Sequence, residues 1–329
     1  MGRHHGEMNG HLPSRVPLTR RALLASAFAA PAARAAVPGS TLVHEHVMVD
    51  FIGADKIAPG RYDSESVFKI AKSKIEEVKA LGCTRLIECT PNYIGRDAVL
   101  LRRLADGTGV DIWTNTGLYG AANHKYVPKF AYEESAGQLA RRWIAEARVG
   151  IAPLGDTLKP RFIKSGVNKG PLDPIDRKLV LAAALTSRET GLPVAIHTDD
   201  GKAALEEAEI FTAARVPLSR LIWVHAQNEK DHAIHEQLAR AGAWVEFDGI
   251  NARSAPWHEE CVRYMASRKL LHRTLISQDS GWYRVGEPGG GQYNGYTYLY
   301  TDFAPRLDPA WIKPLLIDNP RAAFASPAP

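Results

Sequence analysis

The chain has 329 residues, a net charge of +5 and a pI near 9.0, with 45% apolar and 23% charged residues. That length is enough for one large α/β barrel or two ordinary domains. The positive charge is no nucleic-acid footprint: residues 1–35 hold five arginines and one acid, and the remainder carries 36 basic and 35 acidic residues without a cationic stripe.

The first segment reads as an address. Thr19-Arg20-Arg21-Ala22-Leu23-Leu24 opens a basic-then-apolar stretch, and Ala33-Arg34-Ala35 supplies small residues at A-x-A cleavage positions. Basic, apolar and small-residue regions in that order favour an export signal over a merely disordered N-terminus. The paired arginines suggest the twin-arginine type, which carries folded proteins. Residues 1–35 are therefore expected to be the signal and residues 36–329 one mature domain, periplasmic or secreted. The apolar run is too short to span a bilayer, and no membrane contact is expected after cleavage. Of the three cysteines, Cys83 and Cys89 are too far apart along one strand to bridge, and none has zinc-finger spacing.

The mature chain alternates between strand and helix patterns. Thr41 to His46 is an apolar run ending in His-x-His, a short strand. Ser64 to Leu81 follows with helical apolar spacing and stops at Gly82. Arg85 to Thr90 is the second strand, then a helix from Asp97, a plausible N-cap, to Gly107. Asp111 to Tyr119 is the third strand and Glu133 to Ala147 a helix. Arg161 to Val167, Pro193 to Thr198, Leu221 to Ala226, Trp244 to Asp248 and Thr274 to Asp279 are strands four to eight. Helices at Pro174–Thr190, Lys202–Ala214, Asp231–Arg240 and Trp257–Ser267 separate them, and Asp308 to Ile317 forms the last. Eight apolar strands alternating with helices predict a closed (β/α)8 TIM barrel. An open doubly wound sheet lacks its Gly-x-Gly-x-x-Gly after strand one. The glycines between Gly286 and Gly291 read as a mobile loop.

In such a barrel the active site forms at the carboxyl ends of the strands. His44 and His46, two apart on a strand, project to the same side while Glu45 points away. Lys164 stands on strand four, His197 ends strand five, His225 strand six and Asp279 strand eight. Four imidazoles, a lysine and an aspartate at one mouth favour a metal centre over a set of satisfied core polar groups. His124, His232, His235, His258 and His272 fall on loops or helices and read as ordinary exposed residues. An ammonium on Lys164 would be repelled by divalent cations. Carbamylation by carbon dioxide would convert it to a bridging anion; a neutral lysine acting as base or Schiff-base donor is the alternative.

The chain resembles the phosphotriesterase family of the amidohydrolase superfamily. The likeness runs from Thr41-Leu42-Val43-His44-Glu45-His46 through Gly95-Arg96-Asp97, Thr116-Gly117-Leu118-Tyr119, Ile163-Lys164, Ile196-His197-Thr198, Val224-His225 and Ser277-Gln278-Asp279 to Asn319-Pro320-Arg321. The resemblance implies two divalent ions, Zn2+ first, with Mn2+, Co2+ or Fe2+ as alternatives. It implies that His44, His46 and Asp279 bind one ion and His197 and His225 the other, while carbamylated Lys164 and a hydroxide bridge the pair. The hydroxide would attack an ester, lactone or phosphotriester, Asp279 would accept the proton, and Tyr119 would line the leaving-group side or donate to the oxyanion. It also implies a homodimer. Two departures stand out: Ala226-Gln227-Asn228 follows the strand-six histidine where relatives carry acids, and Gly249 follows Asp248 where they carry histidine or arginine. A proton relay beyond Asp279 is thereby in question, which raises lactones and carboxylic esters to at least equal rank. The competing readings are an amide or C–N hydrolase and an exported metal-binding protein without catalysis.

Replacing Arg20 and Arg21 together by lysine is expected to block export. Pulse-labelled precursor should accumulate untrimmed in the cytoplasm, and normal trimming of the double variant would refute the twin-arginine route.

Overall fold

The computed structural model describes residues 36–155 and 157–325; the inferred signal lies outside the described residues. Eight parallel strands form the inner layer. They are β1 (Ser40–Glu45), β2 (Cys83–Glu88), β3 in two pieces (Asp111–Trp113 and Asn115–Thr116), β4 (Phe162–Gly166), β5 (Val194–His197), β6 (Leu221–Val224), β7 (Trp244–Phe247) and β8 (Thr274–Ile276). Neighbours in sequence pair in parallel, from β1 to the first piece of β3 and from the second piece to β8. The ring closes where Glu45 bridges Ser280, with Asp279 N donating to His44 O (3.0 Å) and His46 N to Ser280 O (2.8 Å). This is the expected TIM barrel.

Helices α1 (Ser64–Lys79), α2 (Ala98–Thr108), α3 (Ala136–Val149), α4 (Pro174–Thr190), α5 (Gly201–Ala213), α6 (His232–Arg240) and α7 (Ala255–Ser267) form the outer layer. Six begin on a side-chain cap: Asp63, Asp97, Ser135, Asp173, Asp200 and Asp231. Each cap satisfies amide donors that the first turn leaves free, and so fixes where the loop over the barrel mouth ends. The chain closes with helical pieces over 309–323.

Three expectations shift. The third strand is not one run but breaks at Thr114, and its second half pairs with β4 instead of β2. Asn115 then turns its amide onto Glu88 O (3.1 Å) and Thr90 O (3.0 Å), replacing the lost ladder. The helix expected from Glu133 starts at Ala136, because Ser135 and Gln138 form a reciprocal capping box, and a separate turn covers Phe130–Glu133. The segment 286–291 contains a short helical turn at Pro288–Gly290.

Side chains alternate between two cores. Val43, Ile87, Phe162, Ala195, Ile222 and Leu275 fill the barrel interior, with Phe324 plugging the end away from the mouth. Leu42, Leu86, Ile163, Ile196, Trp223 and Val245 face the helices. Strict alternation would send His44 outward with Leu42. A bulge prevents this: Leu42 pairs with Leu86 and Glu45 with Glu88, so three steps of β1 match two of β2. Bulges of this kind re-aim side chains beside active sites.

Glu45 points away from the cavity, as expected, and stitches the seam. Its carboxyl accepts from Ser277 Oγ (2.8 Å), Gln278 N (3.1 Å) and Ser280 N (2.7 Å). Burial pushes its pKa up to about 8, against the pull of those three donors. Gly281 completes the seam at φ 101°, where a Cβ would stand 1.7 Å from His46 O. Gly281→Ala is expected to destabilise the fold by about 3 kcal/mol or more, through backbone displacement and left-handed strain. Urea denaturation measures it; a loss under about 1 kcal/mol would show that the seam can yield.

Candidate metal centre

The six residues proposed from the strand ends do meet. His44, His46, Lys164, His197, His225 and Asp279 line one cavity of about 200 Å³, together with Tyr119, Cys89, Phe51, Tyr126 and Trp282. The ring centroids of His44 lie 5.3 Å from His46 and 5.1 Å from His225, and His197 lies 4.3 Å from His225. Lys164 is 1% exposed. A larger hollow of about 550 Å³ lies elsewhere among Tyr62, Tyr93, Arg96 and Pro153. Its charged groups are paired, Arg96 with Glu146 and Asp97 with Tyr62, so chemistry, not size, identifies the site.

The outer partners of the rings decide which nitrogen faces inward. His44 Nδ1 lies 2.9 Å from Glu246 Oε1 and 3.1 Å from Asp248 Oδ2. His225 Nδ1 lies 2.5 Å from Asp248 Oδ1. Facing carboxylates, both Nδ1 atoms act as N–H donors, which leaves Nε2 a bare lone pair. His46 Nδ1 lies 2.8 Å from Thr90 Oγ1, whose own hydrogen is claimed by Met48 O (3.1 Å) or the Glu88 carboxyl. His46 therefore also presents a lone pair at Nε2.

Asp279 Oδ1 stands 3.0 Å from His46 Nε2 and 3.8 Å from His44 Nε2. It makes no aligned hydrogen bond there, and the buried Lys164 Nζ has no hydrogen-bond partner among the described residues. Acceptors thus confront one another with no hydrogen between them. A buried arrangement of that kind is costly on its own and suits cations. The donor set of imidazoles and a carboxylate fits divalent metals.

The electrostatics agree. Burial, helped by the Lys164 charge, lowers His44 to about 3. Burial and then His225 lower His197 to about 4. These rings stay neutral, the state a metal needs. Burial opposes the charged form of His225, but Asp248 overrides it and raises the pKa. For Asp248, burial is likewise outweighed, by His225 and His44, and the carboxylate is held well below its usual range. Burial, then Asp248, drives its neighbour Glu246 well above. Burial and Asp279 raise Tyr119, so its phenol remains a donor.

Sequence reasoning missed Glu246, Thr90, Glu88 and Trp282, and gave Asp248 no role. The signal for two of them was present: Glu246, on β7, and Asp248, just past its end, are two apart, the same spacing that marked His44 and His46. It also misjudged two histidines. His235 and His258 are not exposed but 0% and 2% accessible. They back the strand ends, with His235 Nε2 2.7 Å from Ala226 O and His258 Nε2 2.5 Å from Asp248 O. Turning into the barrel wall offers these helical residues a carbonyl partner, which a sequence does not reveal.

The phosphotriesterase family model matches residues 29–324. The chain belongs to the phosphotriesterase family. It is 29% identical to the phosphotriesterase homology protein of Escherichia coli, over 87% of this chain and 98% of that one. A crystal structure of the Escherichia coli protein, with phosphate in its active site, superposes with a TM-score of 0.74 at 26% identity, covering 87% of this chain and 99% of the other. A phospho-furanose lactonase of Mycoplasmopsis synoviae is 23% identical over 74% of this chain and 76% of its own. As a member of this family the chain is an enzyme, a metal-dependent hydrolase acting on ester bonds.

With metal chelated, the His44 and His197 rings are expected to stay neutral well below the pH at which a free imidazole takes up its proton. The folded pKa values of His44 and His197, about 3 and about 4, lie beneath the imidazole value of 6.5. Between roughly pH 4 and 6.5 each of these rings therefore binds fewer protons folded than unfolded and by itself removes about 1.4 kcal/mol of stability per pH unit as the pH falls, while Glu45, raised to about 8, works in the opposite direction. NMR titration of the ring protons in the presence of chelator tests this; midpoints near 6.5 for both rings would refute it.

Proposed function

We propose that the cavity holds two divalent cations and hydrolyses small esters or lactones. The lone pairs that face Asp279 without hydrogens are the observation that carries this reading. His44, His46 and Asp279 would hold one ion and His197 and His225 the other, Zn2+ being the first candidate and Mn2+, Co2+ or Fe2+ the alternatives. Lys164 Nζ, buried without a partner among the described residues, would add to carbon dioxide and lose a proton, becoming an anionic carbamate that could serve as a further ligand. Bound cations of this kind lower the pKa of a shared water toward neutrality and polarise the oxygen of the bond to be cleaved.

The rest falls to the chain's own groups. Asp279 Oδ1, facing both His44 and His46, receives the proton released by the attacking water. Asp279 is held ionised despite burial by the histidines around it, and is therefore free to accept. Tyr119, its ring 5.1 Å from that of His197, donates to the developing oxyanion or walls the leaving group. The aromatic groups Phe51, Tyr126 and Trp282 line the rest of the cavity.

Carboxylic esters and lactones rank ahead of phosphotriesters. Gln227 grips Asp248 with both ends of its amide, Nε2 to Oδ1 at 3.0 Å and Oε1 from Asp248 N at 3.1 Å. A neutral clamp thus occupies the region behind Asp248 that a titratable relay group would need. On the strength of the inferred signal, we place the working enzyme outside the cytoplasm.

Metal content should be about two ions per chain after loading. A panel of lactones, aryl esters, phosphotriesters and N-acyl compounds should show lactone or ester turnover above the other classes. Lys164→Ala should lose metal and at least about 100-fold in activity, with partial recovery in a short carboxylic acid. Fewer than one ion per loaded chain, or turnover that survives chelation and Asp279→Asn, would overturn the proposal.

A further inference from the structure

Outside the ligand cluster, backbone strain concentrates in the loop after β3. Ala122, Asn123 and His124 follow one another at φ 58°, 53° and 60°. Left-handed backbone crowds Cβ against the next carbonyl, and L-residues adopt it singly, not in runs. Such a turn persists only where its surroundings hold it.

The holding groups are specific. His124 Nε2 lies 3.0 Å from Asn168 Nδ2, 3.2 Å from Asp176 Oδ1 and 3.2 Å from Asp173 Oδ2. Asp173 caps α4, and Asp176, 1% exposed, sits in its first turn. Asp176 Oδ2 accepts from Asn168 N and Asn168 Nδ2, both at 3.0 Å. Asn168 in turn accepts from Asn123 N (2.8 Å) and donates to Gly120 O (3.2 Å). Gly120 runs so close over this point that a Cβ would stand 2.5 Å from Asp176 Oδ1. The strained turn is thus anchored to the start of a helix that packs on the barrel.

Its cargo is the cavity wall. Ala122 and Tyr126 both line the cavity. The Tyr126 ring lies 6.0 Å from Tyr119 and 6.0 Å from Phe51, so the turn sets one aromatic face of the site. His124 itself does not line it.

We propose that His124 is a positioning residue: clamped between Asp173 and Asp176, it holds a left-handed turn that keeps Ala122 and Tyr126 in the wall of the substrate cavity. The link to turnover rests on the hydrolase reading above; the clamp does not. Nothing in this role touches the metal ligands, so loosening the clamp affects substrate fit and leaves metal binding intact.

The test uses the metal-loaded enzyme and four chains: the parent, His124→Ala, Asp176→Asn, and His124→Ala combined with Ala122→Gly. Amide hydrogen exchange over residues 120–126, metal content, KM and kcat are measured. His124→Ala and Asp176→Asn should each speed exchange in that segment by about tenfold and raise KM by a similar factor, with kcat within about twofold and metal unchanged. Adding Ala122→Gly should recover part of the protection, since glycine takes positive φ without the Cβ clash. Parent-like exchange in both single variants, no recovery with glycine, or lost metal would each overturn the clamp. If no ester or lactone is turned over, the hydrolase reading fails while the exchange data still decide the clamp.

Discussion

Everything in this barrel answers to one electrostatic constraint: electron-rich atoms converge on a buried point without hydrogens to separate them. The Nε2 atoms of His44 and His46 face Asp279 Oδ1 at 3.8 Å and 3.0 Å. Left alone, that contact is repulsive and desolvated. The fold sustains it by tying the far side of each ring, to Glu246 and Asp248 for His44 and to Thr90 for His46. The rings cannot swing away to find better partners. Orientation imposed from behind in this manner raises the basicity of the inward nitrogen as well as fixing its direction.

Backbone irregularity supplies the aim. A straight strand alternates its side chains, and regular alternation cannot bring every ligand to one mouth. The bulge between Leu42 and Glu45 turns His44 inward. His225 and Asp279 take φ of 65° and 50° just beyond their strands. Non-glycine residues in that region cost free energy, of order 1–3 kcal/mol each. That they stand at the proposed ligand positions, held by Asp248 on one side and the Glu45 seam on the other, is consistent with stability given up locally to serve the site.

Much of this was legible in the sequence, and the limits are physical. Strand–helix alternation and the six strand-end residues were readable because both follow from local periodicity and from where a parallel barrel puts its mouth. The break at Thr114 was not, since it depends on which neighbour each half of β3 pairs with. Nor were the partners of the rings. Thr90 and Glu88 are ordinary strand-end residues until His46 is placed 2.8 Å from the hydroxyl. His235 and His258 sit on helices with polar neighbours, and only the packing of α6 and α7 against the barrel shows them buried against carbonyls.

Asp248 carries the consequence furthest. One oxygen accepts from His225 Nδ1 at 2.5 Å, and the other meets His44 Nδ1 at 3.1 Å and His225 N at 3.1 Å. In the proposed assignment those two histidines belong to different ions. A single carboxylate therefore sets the tilt of a ligand in each half of the centre, and neither half can reorient without disturbing the other. Gln227 and His258 fix Asp248 in turn, through its side chain, its amide and its carbonyl. Rigidity is thereby passed from α7 and the loop after β6 to both halves at once. A relay group in the place of Gln227 would have to exchange protons with Asp248 and shift its bonds at every turnover. The neutral amide clamp avoids that motion and leaves Asp248 a fixed support for both rings.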